Sequence, residues 1–291
     1  MKVLVTGASG QLCTDIVKAF KHHKVVPLTH ADADITDFDA VKGACFQHKP
    51  DVIVNTAAYV RVDDCETNRD LAFRVNALGA RNIAVVAEEL GAKLAHISTD
   101  YVFGGEPGLR NTPYTEFDTP TPLSIYGKSK LAGEEFVRYL CRRHFIVRSS
   151  GLFGMAGSSG KGGNFIETIL RLARERGKLT VVNDQIFSPT YTPDLAVKIA
   201  RLLRTELYGI YHITNSGSCS WYDFAREVLK LAGPDTPILP IPSAKYPQKA
   251  QRPAYSVLDH FHLRLLGMDD MRSWQEGLAE YIREKGHNKR Q

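Results

Sequence analysis

The sequence predicts an α/β fold built on a doubly wound parallel sheet, and three observations carry that expectation. Over the first two thirds of the chain, short β-rich runs alternate with stretches of helical periodicity. The first of these runs stops at Gly7-x-x-Gly10, a glycine-rich turn placed between a strand and a helix. The 291 residues are 43% hydrophobic and 24% charged, enough to bury a large core as one sizeable domain or two interleaved ones.

Taken in order, residues 2–6 read as a strand, 12–22 as a helix, 25–28 as a strand and 38–47 as a helix. A strand at 52–55, a long helix at 68–90 and a strand at 94–98 follow. Strands separated by helices of this length imply βαβ units and a parallel sheet covered on both faces. Residues 103–123 break the rhythm: Gly104, Gly105, Pro107, Gly108, Pro113, Pro120 and Pro122 mark a long loop. A strong helix at 126–142 and a strand at 145–148 resume it. A second glycine-rich stretch at 151–163 precedes an amphipathic helix at 164–176. Beyond about residue 215 the chain is irregular and proline-rich, with helices near 221–231 and 273–285.

Composition narrows the function. A net charge of +5, with a small basic tail at Lys285, Lys289 and Arg290, suits anionic ligands but makes no basic stripe of the kind nucleic acid requires. No apolar run approaches the roughly 18 residues of a membrane helix. Residues 1–6 run straight into a strand pattern, so a cytoplasmic protein without a signal peptide is expected. Cys13, Cys45, Cys65, Cys141 and Cys219 are odd in number and scattered, which argues against a disulfide framework or a zinc site.

A glycine turn between strand and helix lets the backbone approach a pyrophosphate, and the helix start adds free N–H donors and a positive dipole end. Gly7, Gly10, Gln11 and Leu12 are therefore the candidate phosphate cradle of a nicotinamide dinucleotide. The residue closing the second strand reads the adenosine ribose: an acid selects the 2′-hydroxyl, an arginine the 2′-phosphate. That region is Leu28-Thr29-His30, neither of these, so NADPH and NADH both stay open. Asp34 and Ile35 are placed to pack against adenine, with Asp34 equally readable as a helix N-terminal acid. Ala57 and Ala58, at the carboxyl edge of the third strand, let the backbone lie along the cofactor; Tyr59 beside them reads as a cofactor contact or as packing.

Tyr126 and Lys130 stand four residues apart on one helical face. A phenol with an ordinary pKa near 10 is a sluggish acid/base at neutral pH, and a nearby ammonium favours the phenolate. Ser98 and Thr99, ending the fourth strand, supply a hydroxyl to hold the carbonyl oxygen that Tyr126 protonates. Together these make a carbonyl-reducing site, with Lys130 also in reach of the nicotinamide ribose.

The turn resembles the T-G-x-x-G-x-x-G of the short-chain dehydrogenase/reductases, with Cys13 where a third glycine is usual. More narrowly, the chain resembles the extended members acting on nucleotide sugars, the dTDP-4-dehydrorhamnose reductases above all. The likeness runs from Thr6–Leu12 through Ser98–Phe103, Tyr126–Glu134 and Ser188-Pro189-Thr190 to Gly209–Phe224 and Arg252-Pro253-Ala254-Tyr255-Ser256. It implies a Rossmann-type sheet formed by residues 1–150 with roughly 191–215, and a smaller C-terminal α/β substrate-binding domain of roughly 151–190 with 216–291. It also implies reduction of the 4-keto group of dTDP-4-dehydro-β-L-rhamnose to dTDP-β-L-rhamnose. In that reaction Tyr126 gives the proton to O4, Lys130 tunes Tyr126, Thr99 holds O4 and Asp100 contacts the sugar. Asn164 and Arg252 fall in the implied nucleotide pocket, although Arg252 also reads as a surface ion-pair residue.

The chain departs from the likeness at one point. The family's Arg-Thr-Ser/Ala-Trp, whose tryptophan lies against the sugar, is here Arg148-Ser149-Ser150-Gly151, which puts the exact sugar in question. Some members form metal-linked homodimers through acidic residues; Asp15 lies where one such acid would fall, but a single carboxylate does not make a Mg²⁺ site. The alternatives are a nucleotide-sugar epimerase of the same superfamily, and a non-catalytic subunit like the methionine adenosyltransferase β subunit.

Overall fold

The computed structural model describes residues 1–108, 110–156 and 163–286. Part of the glycine-rich stretch at 151–163, together with Lys289 and Arg290, lies outside the described residues.

Six parallel strands form the central sheet: β1 (Lys2–Thr6), β2 (Lys24–Leu28), β3 (Val52–Asn55), β4 (Lys93–Thr99), β5 (His144–Ser149) and, after a run of shorter strands, β10 (Gly209–His212). Their order across the sheet is β10-β5-β4-β3-β1-β2. Val3, Leu4 and Val5 of β1 and Val52, Ile53 and Val54 of β3 are all buried, so both faces of these strands are covered, as a parallel sheet requires. On one face α1 (Gln11–Ala19) inserts Leu12, Cys13 and Ile16 against α8 (Thr192–Leu202). The other face carries α2 (Phe38–His48), α5 (Ala80–Leu90) and α6 (Ile125–Leu140).

The helix expected over 68–90 is instead segmented, and a helix precedes it. The structure has α3 (Val62–Thr67), α4 (Arg69–Phe73), a π-helical stretch at Arg74–Gly79, and then α5. The wide turn sits where side chains pull on the backbone. Asn76 exchanges two hydrogen bonds with the Tyr59 backbone and donates to Ser129 Oγ (2.9 Å), pinning this segment to α6. Gly79 lies so close to Ile35 that a Cβ there would come within 2.6 Å of its Cδ1.

After β5 the chain leaves the sheet and builds a second core. That region holds β6 (Leu152–Phe153), α7 (Phe165–Glu175), β7 (Leu179–Val182), β8 (Ile186–Phe187) and β9 (Thr190–Tyr191). The chain returns through α8 to β10, then leaves again as β11 (Cys219–Ser220), α9 (Trp221–Ala232), β12 (Ile238–Ile241), α10 (Phe261–Leu265) and α11 (Trp274–Glu284). Capping boxes at Ser220/Asp223 and Ser273/Glu276 start α9 and α11. Phe153, Ile169, Phe187, Phe224, Trp274 and Tyr281 lie in the second core. Over the loop at 103–123, Phe103 stacks on Tyr114 with centroids 4.2 Å apart, and Arg110 caps the far side of that ring. The carboxyl ends of the sheet strands face the cleft between the two cores. Among the described residues no helix is long and apolar enough to cross a membrane.

Candidate active site

Two adjoining cavities, of about 310 Å³ and 440 Å³, occupy the cleft, and Gln11, Val60, Ser98, Tyr126 and Leu152 line both. The smaller runs along the sheet edge past Gly7, Gly10, Gln11, Leu12, His30, Asp34, Ile35, Ala57 and Ala58 to Lys130. The larger is bounded by Thr99, Asp100, Gly151, Asn164 and Arg252, with Phe187 and Trp221 from the second core. Tyr59 lines neither: it is drawn to Asn76 by both backbone groups, and Val60 and Val62 face the cleft instead.

The glycine turn is shaped for close approach. Gly7 has φ +76°, and a Cβ on it would stand 2.8 Å from Ala57 N, so backbone conformation and space both demand glycine. Gly10, at the N-cap of α1, supplies no side-chain cap, which leaves the helix's first N–H groups available to an anion. Cys13 is packed into the α1 face, and burial pushes its thiol up to about 11, so it serves as an apolar filler where a third glycine is usual. At the far end His30 Nε2 lies 3.3 Å from Asp34 Oδ2. Burial acts to raise the Asp34 carboxyl, but the Thr36 N–H bonded to it and the His30 and Arg74 charges hold it below its usual range. These residues fit a dinucleotide, with backbone donors for the phosphates and small side chains along the sheet edge.

The α6 helix begins at the junction of the cavities. Ser124 caps it by accepting from Gly127 N (3.1 Å), and Gly127 packs so tightly on Tyr101 that a Cβ there would stand 2.2 Å from the Tyr101 carbonyl. This fixes Tyr126 at the cleft, where it lines the larger cavity together with Thr99. Burial of the ring pushes the phenol above its ordinary value; the Thr99 side chain opposes this and the Asp100 charge adds to it. One turn on, the buried Lys130 donates to Ile97 O (2.7 Å) and lies 3.4 Å from His96 Nε2. Burial lowers this ammonium to about 8, with Glu134 pulling the other way.

A buried relay sets the His96 tautomer. Asn55 Oδ1 accepts from Thr6 Oγ1 and Ala57 N, so the Asn55 amide turns its Nδ2 to His96 Nδ1 at 3.2 Å. Nδ1 thus accepts, and in the neutral ring the proton sits on Nε2, facing Lys130. Burial and then the Lys130 charge hold this imidazole far below its ordinary pKa. Neither His96 nor Asn55 stands out in the sequence, because their partnership spans 41 residues.

Four sequence candidates have their polar groups engaged within the protein. The Ser98 hydroxyl donates to Glu134 Oε1 (2.5 Å), part of a buried Glu134–Arg148 ion pair closed at 2.6 Å. Asn164 caps α7 through Glu167 N and donates to Tyr281 Oη. Arg252 lines the larger cavity, but its guanidinium grips Asp63 at 2.8 and 3.2 Å. Asp100 is buried, accepting from Ser150 (2.8 Å), Ser256 (2.6 Å) and Thr99 (3.2 Å). Burial still outweighs those donors and raises its carboxyl to about 6.

Gly151 explains the departure from the Arg-x-x-Trp pattern. Its φ is +53°, and a Cβ there would come within 2.4 Å of Phe187 Cε2. Phe187 stacks on Trp221 with centroids 3.9 Å apart. The aromatic wall of the larger cavity is therefore present, supplied by β8 and α9 rather than by the residue after Ser150. Among the described residues no three His, Cys, Asp or Glu side chains gather as a metal site, and Asp15 is buried against Thr192 Oγ1 (2.6 Å).

The model of the RmlD substrate binding domain family matches residues 1–286. A solved dTDP-4-dehydrorhamnose reductase from Bacillus anthracis, in complex with NADP, superposes with a TM-score of 0.92 at 44% identity, covering 97% of this chain and 99% of that one. The chain belongs to the dTDP-4-dehydrorhamnose reductase family. The spore coat polysaccharide biosynthesis protein SpsK of Bacillus subtilis is 43% identical over 98% of both chains. A dTDP-4-keto-6-deoxy-D-glucose reductase of Streptomyces niveus is 38% identical over 95% of both. Within this reductase family the sequence expectation of a Rossmann-type sheet with an attached α/β unit is met by the six-stranded parallel sheet and the second core.

Proposed function

We propose that the chain is an NADPH-dependent reductase that converts dTDP-4-dehydro-β-L-rhamnose to dTDP-β-L-rhamnose, a cell-surface polysaccharide precursor. The observation that carries this is the place of Tyr126, which lines both cavities, with Thr99 beside the larger and Lys130, one turn away, beside the smaller. The smaller cavity takes the dinucleotide, the larger the nucleotide sugar. NADH remains an alternative reductant, since His30 is neither the acid nor the arginine that would decide the 2′ position.

The bound nicotinamide supplies the hydride to sugar C4. The chain's own groups handle the oxygen. Thr99 Oγ and Tyr126 Oη converge on O4 and hydrogen-bond the charge that develops there. The Tyr126 phenol, kept protonated by its surroundings, passes its proton to O4 as the C–O bond becomes an alcohol. Lys130 then stabilises the phenolate left behind until solvent restores the proton. Asp100 orients a sugar hydroxyl, and Phe187 with Trp221 packs on the sugar's apolar face. On this reading the protein works in the cytoplasm.

The test is reductant consumption, followed by nicotinamide absorbance, with dTDP-4-keto-6-deoxy sugars. Turnover only when both reductant and keto sugar are present is expected; no turnover with either cofactor overturns the reading. The displaced aromatic wall at Gly151, together with the relative named for dTDP-4-keto-6-deoxy-D-glucose, favours a second substrate reading. Comparing kcat/KM for the two 4-keto epimers decides between them. Retention of Thr99, Tyr126 and Lys130 together disfavours a non-catalytic subunit, and a protein purified with tightly held NAD would favour an epimerase.

A further inference from the structure

Among the described residues three buried side-chain atoms have no hydrogen-bond partner: Gln11 Oε1, Ser149 Oγ and Glu116 Oε2. An unmade hydrogen bond at such an atom is a free-energy cost that a bound partner can relieve. Glu116 lies away from both cavities, and its other oxygen accepts from His212 N and His262 N. The remaining two line the larger cavity, and Gln11 lines the smaller one as well.

The orientation of both groups is fixed. Gln11 Nε2 donates to the Leu152 carbonyl at 3.1 Å, so the amide cannot flip and Oε1 is the end left over. Phe145 and Val147 of β5 pack into the cluster that holds Leu12 and Ile16 of α1. Side chains alternate along a strand, so Ser149, two residues beyond Val147, is on that same face, the face from which Gln11 opens α1. One acceptor-only atom and one hydroxyl thus belong to residues that line the larger cavity on the same face of the sheet, and Gln11 stands where the two cavities adjoin.

A dinucleotide with its phosphates on the Gly7–Leu12 turn and its ribose near Lys130 brings its nicotinamide to this boundary. The ring carries one polar substituent, a carboxamide, with one carbonyl oxygen and one NH₂. We infer that Gln11 Oε1 accepts from the carboxamide NH₂ while Ser149 Oγ donates to the carboxamide oxygen. The pair is complementary in one sense only. A half-turn of the ring about its glycosidic bond breaks both contacts, so Gln11 and Ser149 are positioning residues that select which face of C4 meets the sugar.

The inference rests on the chain binding a nicotinamide dinucleotide, and calorimetric binding separates the two. The probes are NADP⁺ and its 3-acetylpyridine analogue, which keeps the carbonyl and replaces NH₂ with CH₃. Wild type is expected to prefer NADP⁺ about tenfold, the effect of one buried hydrogen bond. In Gln11→Met the ratio falls to about one, whatever the overall affinity. Ser149→Ala weakens both ligands by a similar factor, because both retain the carbonyl. Equal wild-type affinity for the two ligands, or a preference that survives in Gln11→Met, overturns the Gln11 assignment. Unchanged or unequal losses in Ser149→Ala overturn that of Ser149. The wild-type ratio is decisive even if Gln11→Met fails to fold. No binding of NADP⁺ by wild type overturns the cofactor reading and this inference with it; binding without discrimination overturns this inference alone.

Discussion

Lys130 Nζ lies 3.4 Å from a His96 Nε2 that carries a proton, because Asn55 occupies the ring's other nitrogen. An N–H aimed at an ammonium works against its charge, in the same direction as the burial that brings Lys130 to about 8. In the proposed mechanism the charged form of Lys130 is the one that supports Tyr126. Accordingly kcat/KM for ketone reduction is expected to hold below pH 8 and fall as pH rises through it. In His96→Asn the side-chain oxygen can turn to Lys130, and the alkaline limb moves upward. A pH–rate profile whose limb stays in place in the variant sinks the coupling.

Under the proposed mechanism, Tyr126→Phe removes the proton donor while leaving the ring in its contact with Tyr101. Loss of a general acid costs about 10²–10⁴-fold in kcat. Dinucleotide affinity, measured by fluorescence quenching, is expected to stay within a few-fold of wild type. A variant that keeps most of its turnover rules Tyr126 out as donor.

If Asp100 contacts the sugar as proposed, it does so at a cost in stability. Its folded-state carboxyl sits at about 6, above its ordinary 3.8, so the folded protein holds this proton more tightly than the unfolded chain. That contribution to stability is fully present below pH 3.8 and disappears as pH rises through 6. At neutral pH the buried charge is a net cost. Asp100→Asn is therefore expected to raise the melting temperature at pH 7, with the gain vanishing near pH 4, while turnover drops. A gain that does not depend on pH contradicts the assignment.

Gly151→Trp, which restores the family pattern, is expected to destabilise this chain. The φ of +53° costs a non-glycine residue about 1–2 kcal/mol, and overlap with Phe187 adds about 1–3 kcal/mol. Phe187→Ala in the same chain opens the space, so the double variant should recover part of the loss. Denaturant unfolding of the four proteins gives the coupling, and strict additivity would refute the exchange of one wall for the other.

Where the candidate site depends on neighbours in sequence, local pattern was enough to place its residues at the cleft. The turn at Gly7–Gly10, the four-residue step from Tyr126 to Lys130 and the hydroxyl at the end of β4 each follow from a local pattern. Strand–helix alternation likewise gave the sheet, apart from the interruption at Arg74–Gly79, which Asn76 imposes through Tyr59 and Ser129. What local pattern cannot show is contact between distant segments. Phe187 and Trp221 stand 34 positions apart in the chain yet form one wall. Arg252 read either as a nucleotide-pocket residue or as a surface ion-pair residue, and no local pattern could name its partner Asp63, 189 residues away. Ser150 and Ser256 converge on Asp100 from different cores, and no periodicity records that meeting.

The position of β10 bears on how the protein is made. Its outer-edge seat beside β5 is filled by residues 209–212, about sixty residues after β5 itself has been synthesised. Until then a nascent chain on the ribosome presents β5 as a bare edge of alternating Phe145 and Val147, a template for pairing with another chain. A fragment ending near residue 150 is expected to aggregate for that reason, whereas one ending beyond His212 covers the β5 edge with the four-residue β10 and stays dispersed.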